Sequence, residues 1–115
     1  MAADLKGRVA LVTGVGPGLG QGIAVGLARA GASVVVCDVN DEAIAATRKD
    51  VEGEGAECLA LRCDMSDSQA VREMFDAAQA RFGSLHVLVN NAALTPNHPW
   101  ETERRNRLYA YNSTP

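Results

Sequence analysis

The chain has few of the residues that build a disulfide-stapled or metal-bound protein. Among 115 residues, only 4% are aromatic, and there are three cysteines and two histidines. Cys37, Cys58 and Cys63 are odd in number and form no CxxC pair, so their spacing predicts neither a disulfide framework nor a zinc site. Each lies in or beside an apolar run, where we expect a reduced thiol packed in the core. His86 and His98 show no ligand spacing either, and no metal site is predicted.

Strong charge and long apolar runs are also missing. The formal net charge is −3, which offers no electrostatic footprint for nucleic acid or for an anionic membrane. No run is long enough to span a bilayer, and the opening MAADLKGR lacks the apolar core of a signal peptide. We therefore expect a cytoplasmic protein without a nucleic-acid or membrane partner, in which residues 1–115 form one domain or part of one.

Short β-rich runs alternate with stretches of helical pattern. The runs are largely continuous and apolar, as in strands that are buried on both faces of a parallel sheet. Because helices separate these runs, they form parallel β-α-β units, and the predicted fold class is a doubly wound α/β sheet. Four strands are predicted: Val9–Thr13, Ser33–Cys37, Cys58–Cys63 and Leu85–Asn90.

The predicted helices begin and end at recognisable signals. The first covers residues 19–30, carries Leu19, Ile23 and Leu27 on one apolar stripe, and stops at a glycine. Gly22 and Gly26 inside it are expected to allow close packing of the helix on the sheet. The second helix starts after a cap at Asn40 or Asp41, the third starts at a capping box of Ser66 and Gln69 and ends at Gly83, and a last helical stretch covers about residues 102–112.

The segment TGVGPGLG, residues 13–20, connects the first strand to the first helix. Glycines in such a turn let an anion approach the backbone N–H groups at the helix N-terminus, so we expect the segment to hold a phosphate. A P-loop is excluded because no lysine follows the glycines, and the GxGxxG spacing does not fit. The pattern that fits is TGxxxGxG, formed by Thr13, Gly14, Gly18 and Gly20.

Asp38 ends the second strand, 24 residues after Gly14. A carboxylate at this place can accept hydrogen bonds from a ribose diol, so the turn and Asp38 together predict a dinucleotide site. A 2′-phosphate would be repelled by the carboxylate, by up to about 4 kcal/mol at 4 Å and an effective dielectric near 20. Neither Pro17 nor Val39 is basic and able to offset that repulsion. NAD is therefore favoured over NADP.

Four segments together resemble the short-chain dehydrogenase/reductase family, especially its 3-oxoacyl-acyl-carrier-protein reductase-like members. They are LVTGVGPGLG, SVVVCD, RCDMSD and LVNNAA, and the resemblance extends from about Lys6 to Asn112. It implies a partial Rossmann fold with strand order 3-2-1-4, a nicotinamide cofactor, and hydride transfer between that cofactor and an alcohol or carbonyl substrate. For a full-length member it also implies a homo-oligomer.

The resemblance assigns roles to residues at the carboxyl ends of the strands. Asp64 would contact the adenine, aided by the backbone of Met65, and Asn90, Asn91 and Ala92 would steady the sheet and border the adenosine ribose. The chain departs from the family pattern at Ala93, which replaces a glycine, and at His86, which replaces an aspartate. The full set of expected cofactor-binding residues is Thr13, Gly14, Gly16, Pro17, Gly18, Leu19, Gly20, Asp38, Val39, Asp64, Met65, Asn90, Asn91 and Ala92.

The family's catalytic residues are incompletely present. Asn112 matches the asparagine whose backbone holds a water of the family's proton relay. The serine and the YxxxK motif are absent, because Ser113 follows Tyr109 at the fourth position and Pro115 follows Tyr111. A tyrosine and lysine are needed to move the substrate proton. We expect the cofactor-binding, N-terminal portion of a dehydrogenase, inactive by itself.

Two other function classes remain open from the sequence. Gly14, Gly16 and Gly18 also form the GxGxG of S-adenosylmethionine-dependent methyltransferases, and Asp38 and Asp64 could hold that ligand's ribose and adenine. Against this class, Thr13 stands where such enzymes usually carry an acidic residue, and LVNNAA has no role in that chemistry. The third class is a truncated, non-catalytic protein that binds nucleotide.

Overall fold

A computed structural model describes residues 4–16 and 18–91. Four strands and three helices alternate along this part of the chain, and their positions agree closely with the sequence pattern. Of the expected functional residues, Pro17, Ala92 and Asn112 lie outside the described residues, as do Ala93 and the predicted last helix. The elements are β1 (Val9–Thr13), α1 (Leu19–Arg29), β2 (Ser33–Asp38), α2 (Asp41–Gly53), β3 (Cys58–Arg62), α3 (Ser68–Phe82) and β4 (Val87–Asn90).

The strands form one parallel sheet in the order β3-β2-β1-β4, which confirms the predicted fold class and strand order. The central strands are the most apolar, and every residue of β1 is buried. The order reverses beside β1, because β2 lies on one side of it and β4 on the other. In open α/β sheets, ligands bind beyond the carboxyl ends of the strands at such a reversal.

The helices cover both faces of the sheet. Ala24 and Ala28 of α1 and Val51 of α2 belong to an apolar cluster on one face, whereas Met74 and Ala78 of α3 belong to a second cluster on the other. This is the doubly wound arrangement. Within residues 4–16 and 18–91, no helix combines the length and apolarity needed to cross a bilayer.

The start of α3 differs from the predicted capping box. Asp67 is the N-cap, and its carboxylate accepts hydrogen bonds from the backbone N–H groups of Gln69 and Ala70, at 3.0 and 3.2 Å. The Ser66 hydroxyl instead donates to Asp64 Oδ1 at 2.7 Å. The capping-box prediction was therefore wrong by one residue, because either side chain could cap and only one is held at the helix end. The predicted stop at Gly83 is confirmed by its left-handed φ of 78°.

Two expectations about α1 were also wrong. Leu19 is 72% exposed and does not share the buried stripe of the helix. Gly22 and Gly26 have open space where a Cβ would stand, so neither is required by packing on the sheet. The glycine of this helix that has no room for a side chain is Gly20.

Candidate functional site

The glycine-rich turn spans residues 14–18, between the end of β1 and the start of α1. Gly14 has φ 71° and Gly18 has φ 110°, both in the region that glycine adopts at little cost. The turn is anchored to the neighbouring strand because the Gly14 N–H donates to the Cys37 carbonyl at 2.9 Å. The pattern TGxxxGxG thus supplies its glycines where the backbone needs them.

Gly20 is required by a close approach rather than by its backbone angles. A Cβ at this position would overlap the carbonyl oxygen of Gly14 and would lie 2.8 Å from Asn91 Nδ2. The first turn of α1 therefore packs directly on the backbone of the glycine-rich turn. This contact sets the direction in which the helix N-terminus points.

A hydrogen-bond network joins the end of β4 to the glycine-rich turn. The Thr13 hydroxyl donates to Asn90 Oδ1 at 2.9 Å and accepts from the Asn91 N–H at 3.1 Å. The Asn91 side-chain amide donates to the Gly14 carbonyl at 3.0 Å. Thr13 is fully buried and Asn90 nearly so. The paired asparagines therefore hold the turn in place from the strand beside it.

The N-terminus of α1 is built differently from those of α2 and α3. Asn40 caps α2 and Asp67 caps α3 with side-chain oxygens. At α1 the N-cap is Gly18, no side chain of the described residues caps the helix, and its first turn carries no acidic residue. The N–H groups of this first turn are thus left for another acceptor, and the helix dipole favours an anion there.

Asp38 stands beside the glycine-rich turn at the carboxyl end of β2. Its Oδ1 accepts a hydrogen bond from the Asn40 N–H at 2.9 Å, which fixes the carboxylate against the start of α2. Its Oδ2 would lie 3.9 Å from a Cβ at Gly16, so the carboxylate borders the turn closely. Val39, the next residue, is 54% exposed at the same edge.

Asp64 and Met65 follow β3 at the same edge of the sheet. Asp64 Oδ1 accepts from the backbone N–H of Ser66 at 2.9 Å as well as from its hydroxyl. The Met65 sulfur lies 3.9 Å from the sulfurs of both Cys37 and Cys63, so this side chain packs on the core beneath the site. Asp64 and Asp38 thus end adjacent parallel strands, as the sequence predicted.

The three cysteines are buried and free. Burial raises the pKa of the Cys37 thiol to about 12 and that of Cys58 to about 11. It raises the pKa of Cys63 as well. Because the thiolate is the reactive form of cysteine, these thiols are structural rather than nucleophilic at neutral pH.

Three residues make tertiary contacts that the sequence did not single out or did not explain, two beside the site and one, His86, where β1 and β4 begin. The Thr47 hydroxyl of α2 donates to the Val15 carbonyl at 3.1 Å, inside the glycine-rich turn. Arg62 pairs with Asp38 in the β2–β3 register, and its Nη1 lies 3.8 Å from Asp41 Oδ2. His86 accepts the Val9 N–H on Nδ1 at 2.9 Å, which explains how a histidine can replace the aspartate expected there.

The structure therefore brings most of the expected residues to one edge of the sheet. The glycine-rich turn, Leu19 at the start of α1, Asp38, Asp64 and the asparagine pair all lie at the carboxyl ends of the parallel strands. Among residues 4–16 and 18–91, no cluster of three histidine, cysteine or acidic side chains could hold a metal ion. The arrangement places an uncapped helix N-terminus, the Asp38 carboxylate and the exposed Leu19 side chain at one edge of the sheet.

Comparison with known proteins agrees with this geometry. A family model described as "short chain dehydrogenase" matches residues 8–115. A short chain dehydrogenase/reductase from Macrophomina phaseolina is 40% identical over 94 residues, which cover 81% of this chain and 54% of that protein. The chain spans about half or less of the length of the curated relatives that it matches.

Solved structures show the same fold. A hydroxysteroid dehydrogenase from Escherichia coli matches with a TM-score of 0.75 and 34% identity, over 89% of this chain and 45% of the other. A short-chain type dehydrogenase/reductase from Mycobacterium marinum matches with a TM-score of 0.79 and 30% identity, over 95% of this chain and 46% of the other.

Proposed function

Because the chain belongs to the short-chain dehydrogenase family, we propose that it forms the NAD(H)-binding portion of a dehydrogenase or reductase. Members of this family use nicotinamide dinucleotides. The substrate class of the whole protein is an alcohol or the corresponding carbonyl compound. Residues 1–115 form a single, incomplete dinucleotide-binding domain of a cytoplasmic protein that assembles as a homo-oligomer at full length.

The observation that carries the proposal is the uncapped N-terminus of α1 beside Asp38. Helix N-termini bind phosphate groups, and the glycine-rich turn removes the side chains that would keep the pyrophosphate away. Asp38, fixed by the Asn40 N–H, is suited to accept hydrogen bonds from the adenosine ribose. Asp64 and the backbone of Met65 border the adenine, and Asn90, Asn91 and Ala92 border the ribose.

The chemistry of the reaction comes from the cofactor, whose nicotinamide accepts or delivers a hydride. This chain's own residues bind and orient the dinucleotide. Leu19 offers an exposed apolar surface at the start of α1, and the asparagine pair holds the glycine-rich turn in its conformation. Asn112 is proposed to take part in the proton relay. The chain has no serine–YxxxK set, so by itself it binds NADH without oxidising it.

The preference for NAD over NADP rests on the charges around Asp38. Its carboxylate would repel a 2′-phosphate, and none of the ion pairs of the described residues includes Asp38. Arg62 is the register partner of Asp38 on β3, but its guanidinium forms its ion pair with Asp41. We therefore assign Asp38 the dominant effect on the choice of cofactor.

The test is a titration of the chain with NADH and with NADPH. Asp38→Asn removes the charge and keeps the size of the side chain. It should weaken NADH binding about tenfold, as expected for the loss of a charge-assisted hydrogen bond. It should also reduce the difference in affinity between NADH and NADPH. Asp76→Asn, which alters an exposed carboxylate on α3, is the matched control and should change neither affinity.

Tighter binding of NADPH than of NADH by the unaltered chain would overturn the assignment to NAD. No binding of either cofactor, with S-adenosylmethionine bound instead, would favour the methyltransferase class. The relatives named above are dehydrogenases or reductases, so we expect NADH to bind and S-adenosylmethionine not to bind.

A further inference from the structure

Thr47 is a buried polar residue in the middle of α2, and its hydroxyl contacts the glycine-rich turn. The residue is fully buried, and Oγ1 donates to the Val15 carbonyl, 32 residues earlier in the chain. Threonine is a poor helix former, and in a helix its hydroxyl can bond a carbonyl of the preceding turn. This hydroxyl bonds a different segment, so threonine is not explained by the needs of the helix.

The Val15 carbonyl depends on this hydroxyl. Val15 lies in neither helix nor strand, and no backbone N–H among residues 4–16 and 18–91 donates to its carbonyl. A buried carbonyl without a donor is destabilising, because it loses its hydrogen bonds to water and gains none in the protein. The hydrogen bond from Thr47 therefore fixes the direction of the carbonyl, and with it the whole peptide group between Val15 and Gly16.

The direction of that peptide group decides where the Gly16 N–H points. The peptide is planar and trans, so its C=O and N–H point in opposite directions. With the carbonyl facing Thr47, the Gly16 N–H points away from α2. In the described part of the chain no backbone carbonyl accepts a hydrogen bond from it, and Gly16 borders the Asp38 carboxylate.

We propose that Thr47 is a positioning residue that orients the Gly16 amide toward the adenosine end of the bound dinucleotide. The amide then donates to a ribose or phosphate oxygen beside Asp38. If the peptide turned over, it would present a carbonyl oxygen to these oxygens and repel them. The proposal rests on the proposed function, because it assigns the amide a dinucleotide oxygen as its acceptor. It also gives α2 a second role beside the site, since Asn40 at its start holds Asp38.

The test compares three variants of the 115-residue chain. Thr47→Val keeps the branched shape and removes the donor, whereas Thr47→Ser keeps the hydroxyl. Val51→Ala is the matched control, because Val51 is fully buried one turn later in α2 and cannot donate a side-chain hydrogen bond. For each variant we would measure the dissociation constant of NADH, the thermal stability, and amide hydrogen exchange of residues 14–20 without ligand.

Thr47→Val should weaken NADH binding about fivefold to tenfold and accelerate exchange at Gly16, and Thr47→Ser should stay within about twofold of the unaltered chain. Val51→Ala should lower thermal stability without changing NADH affinity, which separates positioning from general packing. Should Thr47→Val not fold, Thr47→Cys replaces it, because a thiol is only a weak donor.

The outcomes separate this inference from the proposed function. Unchanged NADH affinity and unchanged exchange in Thr47→Val overturn the role of Thr47 and leave the cofactor assignment standing. Failure of the unaltered chain to bind NADH overturns the proposed function and, with it, the assigned acceptor. Equal loss of affinity in Val51→Ala and Thr47→Val also overturns positioning, because it attributes both losses to packing.

Discussion

Gly20 is the residue at which the site is most tightly constrained. It stands where α1 meets the backbone of the glycine-rich turn, and its missing side chain is what permits the contact with Gly14 and Asn91. Gly22, one half-turn later, has the same lack of side chain and no such neighbour. The sequence does not distinguish the two glycines, but in the structure only Gly20 of this pair lies where a side chain would clash.

A pair of alanine substitutions separates these two glycines. Gly20→Ala should lower the free energy of unfolding by about 1–3 kcal/mol, because the added Cβ overlaps backbone that cannot move aside. It should also weaken NADH binding by displacing the turn. Gly22→Ala should raise the free energy of unfolding by up to about 1 kcal/mol, because alanine is the better helix former.

Chemical or thermal unfolding of both variants measures these differences. Equal stability of the two variants would contradict the close approach at Gly20. So would a Gly20→Ala variant that binds NADH as the unaltered chain does.

At the scale of the elements, the N-termini of α1, α2 and α3 differ in how their first N–H groups are satisfied. Asn40 and Asp67 satisfy the first N–H groups of α2 and α3, whereas no side chain of the described residues does so for α1. An N-cap side chain stabilises a helix, so α1 lacks a stabilising contribution that α2 and α3 have. The N-terminus of α1 is therefore the one that suits a ligand.

The corrected cap of α3 gives a prediction of its own. Asp67→Ala should lower the free energy of unfolding by about 1 kcal/mol, because the N–H groups of Gln69 and Ala70 lose their acceptor. Ser66→Ala should cost less, since Ser66 bonds Asp64 in an exposed turn and does not cap the helix. Urea unfolding of the two variants, monitored by circular dichroism, measures which of them loses more unfolding free energy. A larger loss for Ser66→Ala would restore the capping box.

At the scale of the whole molecule, much of the fold could be predicted from the sequence. Continuous apolar runs, the glycines that end helices and the acidic residues that follow strands all indicate local structure. They located each element within residues 4–16 and 18–91 to within about two residues. The order of strands followed from the family resemblance and was confirmed. The glycine-rich turn and Asp38 could be found because their spacing is itself the signal.

The tertiary contacts of Thr47, Arg62 and His86 could not be predicted in the same way. Thr47 lies 32 residues from Val15, and only the packing of α2 brings its hydroxyl to the turn. Arg62 is the register partner of Asp38, which depends on how β3 pairs with β2. His86 replaces an aspartate, and its role as acceptor for Val9 depends on which ring nitrogen faces β1. Each of these is a tertiary relation without a sequence spacing of its own.

The most direct test of the central claim is to titrate the chain with NADH and follow its backbone amide signals by NMR. We predict that the signals that move are those of residues 14–20, 38–39, 64–65 and 90–91, which meet at the carboxyl ends of the strands. Signals of α3, which packs on the other face of the sheet from α1 and α2, should not shift. Shifts concentrated on α3, or no shifts at saturating NADH, would contradict the assignment of this edge as a dinucleotide site.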